Sequence, residues 1–502
     1  MTPVAAKETV WVLGDQLNTR IGALARATPR THRVLIVESA LKKNSKPWHR
    51  QRLHFIISSM RHFAEDLRAD GWVVDYVKAD TMTAGLAAHR ARFRNAKVTV
   101  TEPNSIAARA LMARLDVQVV PTNQFLTPES EFVQWAGSRP TLKMEDFYRR
   151  QRVRLGYLMD GATPAGGKWN FDHENREPPP RDGSNPWGEP LVDTLDDIDN
   201  EVIAALPAGC TGDAPAGWWS VTRLGALRRL RHFVEFLLPT FGPHEDAMLT
   251  HNWHLAHSLL SPYLNNGLLM PDEVCEAVEW SYRNGRVPIA SAEGFIRQVI
   301  GWREYVNGLY WLWMPAYLQS NELSATRDLP RAFTEPSSTR MACVAACAGA
   351  VEQRAWAHHI QRLMVLGNLS LIAGIDPLQV NDWMWRSFVD GAEWVMVPNV
   401  IGMTLHADGG RMATKPYASG GAYIDRMSDY CKGCAYDRKK RVGDNACPFT
   451  TLYWDFLLRH GERLVRNPRV STQVHAARKL SDVEAVQSRA REVLDMLDAG
   501  TL

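Results

Sequence analysis

The sequence predicts an α/β domain built on a doubly wound parallel sheet, followed by an all-helical domain. Two observations predict this order. Short apolar, strand-like runs alternate with helix-like stretches through the first 130 residues, and such alternation produces parallel βαβ units. From about residue 226 onward, long amphipathic stretches carry Trp, Leu and Ala at helical spacing. The chain has 502 residues, which is enough for several domains with a sizeable core.

The α/β domain is predicted to span residues 1–130. Its strand-like runs are residues 9–13, 33–37, 72–77, 97–101 and 117–120. Sheets of this kind bind ligands beyond the carboxyl ends of their strands. Gly14, Asp15 and Gln16 follow the first predicted strand, and Glu38 ends the second. These residues therefore occupy positions at which such a sheet binds a ligand.

Residues 131–225 are predicted to connect the two domains over the surface, because this region is polar and contains many Pro and Gly residues. Examples are residues 166–176 and the three consecutive prolines at 178–180. Within the connector, Asp172 is a candidate ligand for a magnesium ion. The helical domain is then expected to occupy residues 226–502.

The composition is that of an ordinary globular protein, with 45% hydrophobic and 23% charged residues. It excludes collagen-like, disordered and disulfide-scaffold chains. The net charge of +3 is compatible with a protein that gathers its positive charge in one groove. The N-terminal residues do not read as a signal peptide, and no apolar run approaches the roughly 20 residues needed to span a bilayer. We expect a cytoplasmic protein without a membrane partner.

Three of the seven cysteines crowd into one short segment. Cys431 and Cys434 form a C-x2-C pair, and Cys447 directly precedes a proline, a habit of iron-sulfur ligands. A tetrahedral centre needs a fourth ligand, for which Cys343 and Cys347 are candidates one helical turn apart. The spacing alone is equally compatible with an iron-sulfur cluster and a structural zinc ion, and an incidental grouping of unbound thiols is the third reading.

The charged run Asp-Arg-Lys-Lys-Arg occupies residues 437–441, beside the cysteines. Such a run is usually a solvated face. Its functional interpretation is an edge that contacts nucleic-acid phosphates, which fix a protein's register without reading sequence.

Four segments of the helical half carry a family resemblance: residues 258–264, 294–305, 356–365 and 383–394. In this order and spacing they resemble the flavin-pocket blocks of the photolyase and cryptochrome family. Together with the α/β start, the resemblance covers nearly the whole chain. The three-cysteine segment narrows it to the bacterial branch that carries an iron-sulfur cluster.

The resemblance implies three cofactors. The helical domain would hold FAD in a U-shape and a 4Fe-4S cluster. The ligands of that cluster would be Cys343, Cys431, Cys434 and Cys447, which leaves Cys347 as a packing residue. The α/β domain would hold a 6,7-dimethyl-8-ribityllumazine antenna in contact with Gly14, Asp15, Gln16 and Glu38.

The resemblance also assigns roles to residues of the helical domain. The residues expected to contact the flavin are Ser258, Leu260, Ser261, Gln298, Arg303, Arg362, Asp390 and Trp383. His359 matches the histidine that faces the lesion, with His358, Tyr417 and Tyr423 as expected pocket partners. Such a histidine could donate a proton as the lesion receives an electron. Animal (6-4) enzymes carry a second histidine where this chain has Leu363, so the proton chemistry has one histidine fewer.

Structural alternatives exist for several of these residues. Ser258 and Ser261 could simply cap a helix, and an Arg-Asp pair or a tryptophan is often structural. Trp383 is expected to relay electrons next to the flavin, but Met384 follows it where the branch commonly has a tyrosine, which puts the next step in doubt. Trp385 lies in the same segment.

The implied activity is light-driven repair of UV-damaged DNA. Excited, fully reduced FAD would donate an electron to a flipped-out lesion, with (6-4) pyrimidine-pyrimidone photoproducts as the expected substrate. The alternative is a blue-light photoreceptor with the same cofactors and no repair activity. A non-enzymatic nucleic-acid-binding protein with a four-cysteine metal site is the third hypothesis. We expect a monomer.

Overall fold

The computed structural model describes residues 7–94, 96–137, 139–180, 182 and 184–502. Its main sheet has five parallel strands: β1 Glu8–Val12, β2 His32–Ser39, β3 Val73–Ala79, β4 Val98–Thr101 and β5 Gln118–Val120. Their order across the sheet is β3-β2-β1-β4-β5. The order reverses at β1, the switch point at which doubly wound sheets form a ligand crevice. The predicted parallel sheet is confirmed.

Helices connect the strands of this sheet. They are α1 Gly22–Ala25, α2 Ala40–Lys43, α3 Arg50–Ala69, α4 Met82–Arg92 and α5 Ile106–Met112. Side-chain oxygens mark where two of them begin: Thr81 accepts from the backbone N–H of Ala84 at 3.0 Å, and Ser105 accepts from that of Ala108 at 3.3 Å. These N-caps satisfy backbone donors that the first helical turn leaves unpaired.

The predicted connector contains more regular structure than its composition suggests. It comprises α6 Glu129–Ala136, α7 Met144–Leu155, the short hairpin of β6 Met159–Asp160 and β7 Thr163–Pro164, and α8 Asp197–Ala204. Part of it is buried: Phe132 and Phe147 lie 5.3 Å apart between ring centroids, and Phe147 lies 5.9 Å from Tyr305 of the helical domain. The aromatic side chains of α6 and α7 therefore belong to the core, since they are withdrawn from water.

The remainder of the chain is helical, as predicted. Its first helices are α9 Arg223–His232, α10 Leu238–His244, α11 Ser261–Asn266, α12 Pro271–Arg283, α13 Ile289–Ile296 and α14 Glu304–Trp313. The central ones are α15 Ala342–Arg354, α16 Asn368–Ala373, α17 Pro377–Ser387 and α18 Glu393–Val397. The last are α19 Gly421–Met427, α20 Pro448–Arg459, α21 Gly461–Leu464, α22 Ser471–Arg478 and α23 Val483–Asp498.

One apolar core joins the sheet to the helical domain. Val10 and Ile36 of the sheet, Phe55 of α3 and Tyr263 of α11 belong to the same buried cluster. The rings of Phe55 and Tyr263 lie 5.7 Å apart, edge to face. This contact packs α3 of the α/β domain against α11 of the helical domain. Among the described residues, no helix is long and apolar enough to cross a bilayer; the cytoplasmic location stays a prediction.

Candidate functional site

Two π-helical turns lie among the predicted flavin residues. Arg297–Arg303 contains Gln298 and Arg303, and Gln361–Gly367 contains Arg362. A π-helical turn accommodates an extra residue and so changes the direction of its side chains, and such turns are frequent at functional sites. The helical backbone is thus irregular at three of the residues that are predicted to contact the flavin.

Asp390 lies at the centre of the predicted flavin contacts. Its Oδ2 accepts hydrogen bonds from the hydroxyl of Ser261 at 2.7 Å and from Nη2 of Arg362 at 3.0 Å. Its Oδ1 is buried and has no partner among the described residues. A buried carboxylate oxygen without a donor is costly. The site therefore offers one acceptor to a ligand that can donate a hydrogen bond.

Ser261 does not cap a helix, so the structural alternative for this residue is wrong. Ser261 begins α11 but makes no capping hydrogen bond, and its hydroxyl donates to Asp390 instead. Ser258 does act locally, because its hydroxyl accepts from the backbone N–H of the buried Leu260 at 3.3 Å. The Gln298 amide donates to the carbonyl of Gly294, one turn earlier in its helix, at 3.2 Å.

Arg303 lies where the two domains meet. Its guanidinium lies 4.2 Å from the ring of Phe125 and 5.1 Å from that of Trp394, and it donates to the carbonyl of Leu264 at 3.2 Å. Burial lowers the pKa of Arg303 to about 10, against the opposing effect of Glu304. These contacts give Arg303 a structural role at the boundary, and its predicted flavin contact stays a prediction.

Trp383 is buried among phenylalanines. Its ring lies 4.9 Å from Phe333 and 5.7 Å from Phe388, and the Phe388 ring lies 4.2 Å from the Arg362 guanidinium. One aromatic ring thus separates Trp383 from the Arg362 and Asp390 pair. Met384 is buried beside it. Trp385 lies elsewhere, edge to face with Trp48 at 5.9 Å.

Three histidines, His257, His358 and His359, lie together near the Arg362 and Asp390 pair. The rings of His257 and His358 are stacked at 4.3 Å, and both are buried. Burial lowers the pKa of His257 to about 3 and that of His358 well below its usual value, so both imidazoles are neutral. His359 is 49% exposed, and its Nε2 lies 3.4 Å from Oδ1 of Asp246. Solvent therefore reaches His359 but not the two imidazoles behind it.

Sequence reasoning missed two residues of this cluster, His257 and Asp246. His257 directly precedes the recognised segment 258–264, and a single histidine there carries no signal of its own. Asp246 lies 113 positions before His359 in the chain, and only the fold brings the two together.

Tyr417 and Tyr423 are half-buried in the same region. Burial raises the pKa of both phenols, and the negative charge of Asp246 raises it further. Arg426 lies 5.4 Å from the Tyr423 ring. Both hydroxyls therefore stay protonated at neutral pH and are available as hydrogen-bond donors.

Asp172 forms ion pairs with two arginines. Its Oδ1 accepts from Nη1 of Arg297 at 2.9 Å, and Oδ2 pairs with Arg176. Although burial acts in the opposite direction, the two guanidinium groups hold the pKa of Asp172 below its usual value. Arg297 also lies 3.3 Å from Glu293 and 3.9 Å from Glu245. A network of paired charges thus occupies this part of the connector.

The predicted cluster ligands surround one small cavity. Cys343 of α15 lines it together with Cys431, Cys434 and Cys447, whereas Cys347 does not. A side chain at Gly421 would meet the Cys447 sulfur at 2.9 Å, so the glycine keeps space open beside that thiol. Burial raises the pKa of the Cys343 thiol well above its usual value, and the other thiols add to the effect. None of the seven cysteines forms a disulfide.

The spread of these sulfurs distinguishes two kinds of metal centre. Within the part of the chain that the structure describes, no three of the cysteine sulfurs all lie within 4.8 Å of one another. A single zinc ion with bonds of about 2.3 Å needs sulfurs about 3.8 Å apart. In a 4Fe-4S cluster each thiolate binds a different iron, so its sulfurs stand farther apart. The arrangement favours the larger centre.

Of the residues predicted at the antenna site, Gly14, Asp15 and Gln16 follow β1, and Glu38 lies at the carboxyl end of β2. The side-chain Oε1 of Gln16 is buried and without a partner among the described residues, while its Nε2 donates to the carbonyl of Glu102 at 2.9 Å. Asp15 accepts from Asn104 at 3.1 Å. Glu38 is paired with Arg61 at 3.0 Å and accepts from the Tyr76 hydroxyl at 2.8 Å.

A side chain at Gly14 would come within 2.9 Å of the Met60 sulfur. The backbone there consequently packs closely against α3. Of the four antenna positions, Gln16 is the one whose side chain has an unused buried acceptor.

The charged run beside the cysteines is partly paired. Arg438 forms an ion pair with Asp425 at 2.5 Å, and Arg441 one with Asp482 at 2.9 Å. Lys439 and Lys440 are exposed. The two arginines thus serve the local fold, and the two lysines form the solvated part of the run.

Comparisons with known proteins are consistent with this arrangement. A family model described as deoxyribodipyrimidine photo-lyase-related protein matches residues 10–211. A protein of Agrobacterium fabrum named (6-4) photolyase is 42% identical over 98% of this chain and 100% of its own length. Among solved structures, a bacterial class III photolyase from Agrobacterium tumefaciens has a TM-score of 0.61 at 15% identity, with 99% of each chain covered. A cryptochrome of Synechocystis has a TM-score of 0.54 at 15% identity, covering 85% of this chain and 89% of its own. On the strength of the full-length relative, the chain belongs to the photolyase and cryptochrome family.

Proposed function

We propose that this chain repairs (6-4) photoproducts in UV-damaged DNA in a light-driven reaction. The observation that carries the proposal is the placement of His359. The half-exposed imidazole of His359 lies three residues before Arg362, which pairs with the buried carboxylate of Asp390. A base extruded from the duplex could reach the first while a cofactor occupies the second. The full-length relative named (6-4) photolyase supports the same assignment.

The residues around Asp390 fit a flavin. Asp390 presents an unpartnered acceptor, Oδ1, suited to a donor group of the ligand, and Ser261 and Arg362 hold the other oxygen in place. A fixed carboxylate and guanidinium orient a polar ring without rearranging when it binds. When bound and fully reduced, FAD supplies on excitation the electron that the lesion receives. Burial of this pair keeps bulk water away from the ring that these residues would hold.

His359 is the residue of this chain that would move a proton. Asp246 lies beside Nε2 and fixes the ring orientation. A histidine near neutral pH can donate a proton to the hydroxyl or amino group of the lesion, which offsets the negative charge that the lesion gains. Tyr417 and Tyr423, protonated at neutral pH, add hydrogen-bond donors in the same region. Leu363 leaves His359 without a second imidazole four residues later.

A 4Fe-4S cluster fits the four thiols better than a zinc ion. The shared cavity, the spread of the sulfurs and the open space at Gly421 support this choice. Cys343, Cys431, Cys434 and Cys447 would be its ligands. Bound there, the cluster would join α15 to the segments before α20. Lys439 and Lys440, exposed next to it, would contact DNA phosphates.

A magnesium ion at Asp172 fits poorly. Arg176 and Arg297 already neutralise the carboxylate, and a dication would meet both positive charges. The charge network supports a structural role for Asp172 instead.

The proposed antenna is 6,7-dimethyl-8-ribityllumazine. Gln16 has a free buried acceptor for a donor group of this chromophore, whereas Glu38 is already paired with Arg61. We expect Gln16→Ala to lower the amount of antenna chromophore that copurifies, because the buried acceptor is lost, and to leave the flavin content unchanged. Chromatography of the chromophores released by denaturation measures both. Gln118→Ala, at an exposed position on β5, is the matched control. Equal lumazine content in both variants would argue against contact by Gln16.

The repair assay tests the proposed function directly. Purified protein with reduced flavin is illuminated with an oligonucleotide that contains one (6-4) photoproduct, and the restored pyrimidines are measured by chromatography. We expect restoration in the light and none in the dark. A flavin-loaded protein that neither restores the lesion nor prefers damaged over undamaged DNA would instead point to a photoreceptor.

A further inference from the structure

One buried tyrosine lies between the cysteine cavity and the predicted flavin residues. Tyr430 directly precedes Cys431 in the chain and lines the cavity that the four thiols share. Its hydroxyl accepts a hydrogen bond from Nε2 of Gln361 at 2.9 Å. Gln361 is the first residue of the π-helical turn that contains Arg362. Tyr430 therefore joins the wall of the cysteine cavity to the turn that carries a predicted flavin contact.

Gln361 extends this connection on its other side. Its Oε1 accepts from the backbone N–H of His358 at 3.0 Å. The backbone N–H of Arg362 donates to the carbonyl of His358 at 3.0 Å, and Nη2 of Arg362 donates to Asp390 at the same distance. Tyr430, Gln361 and His358 are only 3%, 2% and 1% exposed. Bulk water therefore does not replace either hydrogen bond of the Gln361 amide when one is lost.

The segment that carries Tyr430 also contacts the chain that follows Asp246. The backbone N–H of Met248 donates to the carbonyl of Met427 at 2.8 Å. The hydroxyl and the backbone N–H of Thr250 both donate to Oδ1 of Asp429, each at 2.9 Å. The chain before the C-x2-C pair is thus attached to two segments of the proposed reaction site.

The position of this segment depends on what the cysteines bind. Between α19 and α20 the chain has little regular structure, so few repeating backbone hydrogen bonds hold it. A centre bound by Cys431, Cys434 and Cys447 together with Cys343 would tie the segment to α15. Such a tie fixes Tyr430, because Tyr430 is the residue next to the first of these ligands.

We propose that Tyr430 is a positioning residue that makes retention of the flavin depend on occupation of the four-cysteine centre. The inference rests on the two cofactors of the proposed function. Ligation of the thiols keeps Tyr430 in place, Tyr430 holds the amide of Gln361, and Gln361 keeps the turn with Arg362 in its binding shape. Coupling between two binding sites is reciprocal, so bound flavin also stabilises the cysteine-bound centre.

Tyr430→Phe tests this role in the holoprotein, because it removes the hydroxyl and keeps the ring. We expect an unchanged iron content and a release of flavin that is at least about fivefold faster, since the buried amide of Gln361 loses its partner. The fluorescence of free flavin after dilution measures the release.

Tyr436→Phe is the matched control. Tyr436 also lines the cysteine cavity and is buried, but its hydroxyl has no hydrogen-bond partner among the described residues. This variant should release flavin as the unmodified chain does. Equal release by Tyr430→Phe and Tyr436→Phe would overturn the proposal.

Removal of the iron distinguishes coupling from packing. Unmodified protein that a chelator has stripped of iron should release flavin as fast as Tyr430→Phe does, and stripping Tyr430→Phe should add little. A tyrosine that only fills the core would give two effects that add. Additive effects, or flavin release that does not respond to loss of iron in the unmodified chain, would overturn the coupling.

A reverse measurement covers the case in which the stripped protein unfolds. Flavin-loaded unmodified protein should lose iron to the chelator more slowly than flavin-free protein, whereas Tyr430→Phe should lose it at one rate with or without flavin. The same protection by flavin in both proteins would overturn the proposal. None of these measurements needs light or DNA, so the coupling can fail while lesion repair succeeds, and repair can fail while the coupling holds.

Discussion

Replacing His359 with alanine is expected to lower the rate of (6-4) photoproduct repair by about 100-fold or more. Positioned acid catalysis contributes roughly that factor. Leu363 leaves no imidazole four residues later, and the neighbouring His257 and His358 are buried. The side chain is 49% exposed and packs little, so the variant should fold and retain its flavin. Restored pyrimidines per absorbed photon, measured at equal flavin content, give the result.

Two further variants separate proton transfer by His359 from the orientation of its ring. Asp246→Asn keeps the size of the residue that orients His359 but removes its charge, and should reduce repair less than His359→Ala does. His251→Ala removes an exposed imidazole outside the cluster and should repair as the unmodified chain does. Undiminished repair by His359→Ala would remove this histidine from the proton chemistry.

The strands could be predicted because their signal is local. Runs of β-branched and apolar residues at 9–13 and 33–37 became β1 Glu8–Val12 and β2 His32–Ser39. Buried parallel strands need such continuous apolar runs, whatever surrounds them. The predicted ligand positions followed from the same signal, since Gln16 lies in the loop after β1 and Glu38 lies at the carboxyl end of β2.

The connector was harder to predict because composition hid its periodicity. Phe132 and Trp135 stand at helical spacing in α6, but Pro and Gly nearby dominate the region. Their burial depends on Phe147 and Tyr305, and Tyr305 lies far along the chain. Local patterns do not show which face a distant helix will cover.

Some residues of the candidate site could likewise be predicted from the sequence, and others could not. Arg362 and Asp390 could be named because each lies in a recognisable segment, and the structure joins them at 3.0 Å. Asp246 and His257 could not, since their roles arise only where α10 and the segment before α11 approach His359. Contacts between remote segments are set by packing, and a single sequence carries no direct record of them.

A metal centre bound by the four thiols, as proposed above, would add to the stability of the fold. α15 carries Cys343, whereas Cys431, Cys434 and Cys447 belong to a segment with little regular structure between α19 and α20. Thiolate centres add their binding free energy directly to folding, roughly 10 kcal/mol or more for structural zinc sites. A typical single substitution costs only about 1 kcal/mol. Loss of the centre should therefore outweigh any packing defect in this region.

Cys343→Ala is accordingly expected to lose iron, sulfide and visible cluster absorption, and to lower the apparent Tm by at least about 10 °C. Cys347→Ala is the matched control, because Cys347 is buried one turn later on the same helix but lies outside the cavity of the other four. It should keep its iron and lose only the stability of a small packing defect. Iron analysis and thermal unfolding measure both variants. If Cys343→Ala lost its iron yet unfolded at the temperature of Cys347→Ala, the centre would not stabilise the fold, because the two substitutions remove the same atoms from the same helix and differ only in ligation.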